Sequence, residues 1–183
     1  MATVLSHAIA AVALKAAFPA PKVPARLWLL GAVFSMAPDA DVVSFQLGIP
    51  YADLFGHRGF THSLFFAGLL ALLGTWVACP RRALPVHRGW VWLYLFLATA
   101  SHGLLDALTD GGHGVAFFAP FDAGRYFFPI SPIAVSPIGW SRFFSSGGWQ
   151  VLVSEAVWIW LPSLGFAAVA WLFRRRRRGA SAK

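Results

Sequence analysis

His102 and Asp106 stand four residues apart near the end of the apolar run from Trp90 to Leu108. On a helix this spacing stacks an imidazole and a carboxylate on one face, one turn apart. Ionisable groups in a membrane-spanning helix are costly to desolvate, so a functional site is the default reading. Groups of the same kind recur in only a few places, at His7, Asp39, Asp41, His57 and His62. Imidazole and carboxylate together suit borderline divalent ions, zinc first, with manganese, iron or nickel as alternatives. Seven such donors exceed the four of a closed structural zinc site, and they suit two ions about 3.5–4 Å apart.

The stretch Met36-Ala-Pro-Asp-Ala-Asp41 sets two carboxylates two residues apart after a proline, a rigid turn able to supply a bridging ligand. The stretch His57-Arg-Gly-Phe-Thr-His-Ser63 sets two imidazoles five residues apart around a glycine. Arg58, between them, must point away from a bound cation or meet an anion. A guanidinium binds phosphate in a bidentate way, and Arg125 could do the same from farther along the chain. Both arginines equally suit anchoring at lipid headgroups. Asp41, Arg58 and Arg125 are the candidate catalytic residues. His7, Asp39, Asp41, His57, His62, His102 and Asp106 are the candidate metal ligands.

Plainer roles exist for each group taken singly. His7 could be a packing histidine, His102 with Asp106 a buried ion pair, and Asp39 with Asp41 a helix-end cap. Asp110 and His113 are secondary candidates that could support the ligands. His87 reads as a solvated turn residue and Asp53 is ambiguous. Glu155 falls at the start of the last helix, with no catalytic work expected.

The elements that must position these groups read as helices. The chain has 183 residues, 58% of them hydrophobic and 12% charged, with mean hydropathy +0.64. A soluble domain carries about 25% charged residues, so this is a membrane composition. Apolar segments run over about 4–18, 27–37, 64–79, 90–108 and 151–173. Pro19, Pro21 and Pro24 end the first, Pro38 ends the second, and Pro80 and Pro85 bracket a turn after the third. The first two are short for a bilayer crossing, so they continue into the polar motifs or penetrate part way. Pro162 is expected to kink the last. No basic residue precedes Lys15, so the first segment reads as a retained helix rather than a signal peptide. The single Cys79 is expected to pack.

Charge orients the arrangement. With Arg174 to Arg178 in the cytoplasm and five helices alternating, twelve of the fifteen basic residues fall on that side. Arg58, Arg125 and Arg142 remain outside, and all seven acidic residues lie at or near the outer surface. This obeys the positive-inside rule. Nucleic-acid binding is not expected, although net charge is +8, because the basic residues cluster at helix ends. The same alternation puts all seven candidate ligands at one membrane surface. Residues 110–150 are rich in Gly, Pro, Phe and Ser. They are expected to lie at the interface, either capping the site or only anchoring the helices.

At these residues the sequence resembles the YdjM-like family of bacterial and archaeal membrane proteins, described as LexA-regulated, membrane-bound metal-dependent hydrolases. The resemblance rests on Ser6-His7, Pro38-Asp39-Ala40-Asp41, the string from His57 to Ser63, the spacing of His102 and Asp106, and Pro120-Phe121 with Arg125-Tyr126. It implies bound metal and hydrolase activity. A more distant similarity is to the zinc-dependent phospholipase C and single-strand nuclease group. That group also has a His-x3-Asp helix and an early His, but this chain lacks the N-terminal Trp and the downstream His-x3-Glu.

The resulting expectation is an all-α polytopic membrane bundle of about five helices. It forms one domain over residues 1–178, with a polar tail at 179–183. The expected function is metal-dependent hydrolysis of phosphate esters, such as lipid headgroups, at the outer face of the inner membrane. Two divalent ions and membrane lipids are the expected cofactors and partners. A non-catalytic metal-binding scaffold or sensor is the alternative.

Overall fold

In the computed structural model, which describes residues 1–18, 24–79, 87–145 and 147–180, polar side chains cap some of the helix starts. The Thr3 side chain accepts from Ser6 N and opens α1, Val4–Leu14, which tightens into a 3-10 turn at Lys15–Ala17. Pro24, with extended backbone, opens α2, Ala25–Met36. The sequence places the end of this helix at Pro38, and here the structure differs. Pro38 sits in the first turn of a 3-10 stretch, Ala37–Val42, where a missing N–H removes no helical bond. α3, Val43–Gln46, follows directly. The short second segment therefore continues through the Asp39 motif, and Ala25–Gln46 forms an apolar run of 22 residues.

A 3-10 turn at Phe60–His62 precedes α4, Leu64–Ala78, whose cap Ser63 accepts from Phe66 N. His87, expected to be only a solvated turn residue, caps α5, Arg88–Ala107, by accepting from Gly89 N through Nδ1. An irregular stretch with two isolated bridges, Thr109 with Ile133 and Val115 with Tyr126, leads to α6, Trp140–Ser145. α7, Gly148–Glu155, runs through a π-helical turn, Ala156–Trp160, into α8, Leu161–Ala180. The widened turn lies just ahead of Pro162, whose ring would otherwise meet the carbonyl of Trp158. The architecture is all-α. Pro19, Pro21, Lys22, Pro80, Arg81, Arg82, Pro85 and Lys183 lie outside the described residues.

α5 is the central element, packed against α4, α2 and α1, while α8 packs along α1. Tyr94 on α5 anchors the core between Phe18 and Trp28, edge-on to both rings. Its hydroxyl donates to Ala11 O and Trp28 O. Gly31 makes room for it, since a Cβ there would overlap the Tyr94 ring. Cys79 packs in this same core. The outward faces are apolar instead of charged, with Leu29, Leu72, Trp76, Leu164 and Trp171 all exposed. Two helical runs, Ala25–Gln46 and Gly148–Arg176, are long and apolar enough to cross a membrane.

Candidate metal centre

The 3-10 stretch after α2, the Phe60–His62 turn and the last turns of α5 converge on one buried point. Asp39, His62, His102 and Asp106 each offer a donor atom there, all within 4.8 Å of one another. His102 Nε2 lies 3.2 Å from Asp39 Oδ1 and 3.0 Å from His62 Nε2. His62 Nε2 lies 3.7 Å from Asp106 Oδ2. Gly103 permits this approach, because a Cβ there would come within 2.9 Å of the His62 carbonyl. All four residues are buried. Both carboxylate oxygens of Asp39 and Oδ2 of Asp106 have no hydrogen-bond partner among the described residues. Arg58 Nε already lies 3.0 Å from Oδ2 of Asp106, but burying the Asp39 carboxylate without hydrogen bonds is costly, so its oxygens call for a cation.

The supporting contacts aim the imidazoles inward. His102 Nδ1 stands 2.7 Å from Ser35 O, and a carbonyl can only accept, so Nδ1 carries the proton and Nε2 is free to ligate. His62 Nδ1 stands 3.1 Å from Asp41 Oδ2. Asp41 also accepts from Arg58 N at 3.1 Å and Thr61 Oγ1 at 2.6 Å, and its Oδ1 lies 2.6 Å from His57 Nδ1. Asp41, His57 and His62 make a second buried group able to hold an ion. The two groups share His62, which faces them through opposite ring nitrogens. Burial by itself lowers the His62 imidazole, but hydrogen bonds to Asp106 and Asp41 outweigh it and push it up to about 9.

Of the remaining candidates, His7 packs beside the four-donor group. Its ring stacks on His102 at 3.7 Å, and its Nε2 is 3.5 Å from Asp106 Oδ1. Arg58 is buried and meets an anion. Its Nε lies 3.0 Å from Asp106 Oδ2, short of good hydrogen-bond alignment. Its other nitrogens donate to Gly111 O at 2.8 Å and Thr109 Oγ1 at 3.0 Å. Its backbone sits at φ 61, a left-handed conformation uncommon outside glycine. Arg125 is a strap: it donates to the carbonyls of His57, Tyr51 and Asp53 and so binds the loop that carries His57.

Asp110 accepts from Val135 N, and exposed His113 stacks on Tyr51 at 4.6 Å. Asp53 accepts from Phe55 N within its own turn. Residues 115–133 cover the centre's loop and the end of α5, through Ala116 N to Arg58 O, Leu64 N to Phe117 O and Phe128 N to Ala107 O. Sequence reading missed Ser35, Thr109 and Thr61. Thr61 lay in view between Gly59 and His62, whereas Ser35 acts through its carbonyl, which no residue type announces.

Two imidazoles and two carboxylates, with orphaned oxygens among them, fit a divalent ion. The chain matches the YdjM inner membrane protein family over residues 1–178. It is 39% identical over 175 residues to inner membrane protein YbcI of Escherichia coli (strain K12), covering 96% of this chain and 100% of that protein. No solved structure matches.

Proposed function

This chain belongs to the YdjM inner membrane protein family, and from that premise we propose that it is a membrane-bound metal-dependent hydrolase of phosphate esters. The observation that carries the reading is the buried quartet Asp39, His62, His102 and Asp106, in which both Asp39 oxygens lack hydrogen bonds among the described residues. A divalent ion held by these four residues would supply Lewis-acid polarisation of a phosphoryl group and of water. Zinc suits the donor set best, and the group of Asp41, His57 and His62 is the place for a second ion.

The chain's own residues hold this arrangement. Ser35 and Asp41 fix the ring orientations of His102 and His62. Asp41, bonded to both His57 and His62, is placed to hold or move a proton at His62 Nδ1. Arg58 lies against Asp106 and helps to aim it, and Arg125 holds the His57 backbone. The exposed aromatic rings of Phe118, Phe121 and Phe127 suit a segment seated among lipid headgroups, which makes lipid phosphoesters the favoured substrates. In this reading the bundle is polytopic, with the C-terminus cytoplasmic and the centre on the outer side.

The test is metal analysis of the purified protein together with hydrolysis of a panel of soluble and lipid phosphate esters. Stoichiometric metal, metal-dependent turnover, and loss of both in His102→Ala are expected. Protein without metal and without turnover overturns the reading. The near-complete burial of every donor favours one second reading, a closed structural centre that staples the helices. It gives stoichiometric metal, a destabilised Asp106→Ala, and no turnover with any ester.

A further inference from the structure

α1 and α8 pack side by side but leave a groove of about 490 Å³ between them. Its walls are largely apolar, with Ala8, Val12 and Ala13 on α1 and Leu164, Ala167 and Trp171 on α8. One end differs in kind, because Lys15 and Arg174 both line it. His7 lies near the start of α1 and Lys15 just past its end, about 12 Å along the axis at 1.5 Å per residue. The charged end therefore points away from the metal centre and toward the arginine tail.

Neither cation is neutralised by a carboxylate among the described residues. The Lys15 ammonium lies over the Trp28 ring, 5.2 Å from its centroid. Arg174 spends one donor on Phe18 O at 3.0 Å, which leaves most of its guanidinium fork unused. An apolar slot ending in two uncompensated cations is complementary to a molecule with a long apolar chain and an anionic head. In an inner membrane protein, such a molecule is supplied by the bilayer, and basic pockets between transmembrane helices hold acidic lipid headgroups.

We propose that this groove is a binding site for one anionic glycerophospholipid from the leaflet that faces the arginine tail. An acyl chain lies between α1 and α8 against Ala13 and Ala167, and the phosphate is held by Lys15 and Arg174. The site is separate from the metal centre and acts as a structural lipid seat that fills the α1–α8 contact. Because α1 carries His7, an occupied groove also steadies the helix that presents its ring to His102.

The test is native mass spectrometry of the full-length protein in detergent, titrated with phosphatidylglycerol or phosphatidylcholine of matched chains. Wild type is expected to retain phosphatidylglycerol at least about fivefold better than phosphatidylcholine. The double variant Lys15→Gln with Arg174→Gln is expected to bring the two lipids to parity. Ala167→Leu, which fills the slot and leaves both cations, is expected to weaken binding of both lipids. Circular dichroism and elution volume confirm that each variant is folded, so the outcome does not depend on metal or turnover. Equal retention of the two lipids by wild type, or a preference that survives the double variant, overturns the proposal. So does a lipid-free dimer in which a second copy covers the groove.

Discussion

The Nε2 atoms of His62 and His102 face each other at 3.0 Å. Because His102 gives its Nδ1 proton to Ser35 O, its Nε2 can only accept, and the proton between the two rings belongs to His62. Without metal, that proton occupies the position where an ion would bind the same two nitrogens. Metal binding is therefore an exchange of one cation for another.

The exchange gives a pH dependence. The folded-state value for His62 is about 9, against an ordinary 6.5. A raised value stabilises the metal-free fold fully below about 6.5, and that stability is lost as pH rises through about 9. Melting temperatures of the metal-stripped protein are expected to fall across this window. Zinc affinity, measured by chelator competition, is expected to rise about tenfold per pH unit over the same range and then level off. An affinity that stays flat from pH 6.5 to 9 would show that no proton leaves His62.

Asp41 separates one ion from two. Its oxygens already receive four contacts, from His57, His62, Thr61 and the Arg58 amide. If it only orients His62, Asp41→Asn lowers metal affinity about 10–100-fold and leaves the stoichiometry unchanged. If Asp41 and His57 hold their own ion, the variant loses one of two equivalents in elemental analysis. His102→Ala is expected to abolish retention at the quartet in either case.

Much of this centre could be read from the chain, and the reasons differ by residue. His102 and Asp106 were legible because a helix fixes where i and i+4 point. Asp39 and Asp41 were legible as a pair, but their helix was not, since Pro38 ordinarily ends one. Here it opens a 3-10 turn that carries the pair into the core. Arg125 illustrates what composition cannot tell. A guanidinium suits phosphate and backbone carbonyls equally, and only tertiary contacts reveal that three carbonyls occupy it. The π turn ahead of Pro162 was invisible for the same reason, because a sequence shows the proline but not how its neighbours absorb it.

Arg58 tests what the buried cation beside Asp106 contributes. Its guanidinium is buried, with contacts to Asp106, Thr109 and Gly111. Arg58→Met removes one partner of a buried pair and is expected to cost about 3–5 kcal/mol in the metal-free protein. Saturating zinc supplies a replacement cation near Asp106, so the loss is expected to shrink when metal is bound. Thermal unfolding with and without zinc measures both. An equal loss in the two states would mean that Arg58 supports the loop and not the carboxylate.

Glu155 ties the last long helix to the first. It is fully buried at the end of α7, yet its carboxylate sits on the start of α1. It accepts from the Thr3 amide, from Thr3 Oγ1 at 2.6 Å and from Ser6 Oγ at 2.7 Å. An anion at a helix N-terminus is favoured both by the orphan amides and by the helix dipole. Trp160 Nε1 donates to the same Ser6 hydroxyl, which adds a second link across the π turn. Glu155→Ala strands these donors in an apolar surrounding, each at about 1–3 kcal/mol, so a loss of at least about 3 kcal/mol is expected. Glu155→Gln keeps one acceptor oxygen and is expected to lose less. Glu155 is not among the quartet donors, so both variants should keep wild-type metal content below their melting temperatures. Metal loss from a folded Glu155→Ala protein would instead place this carboxylate in the function of the centre.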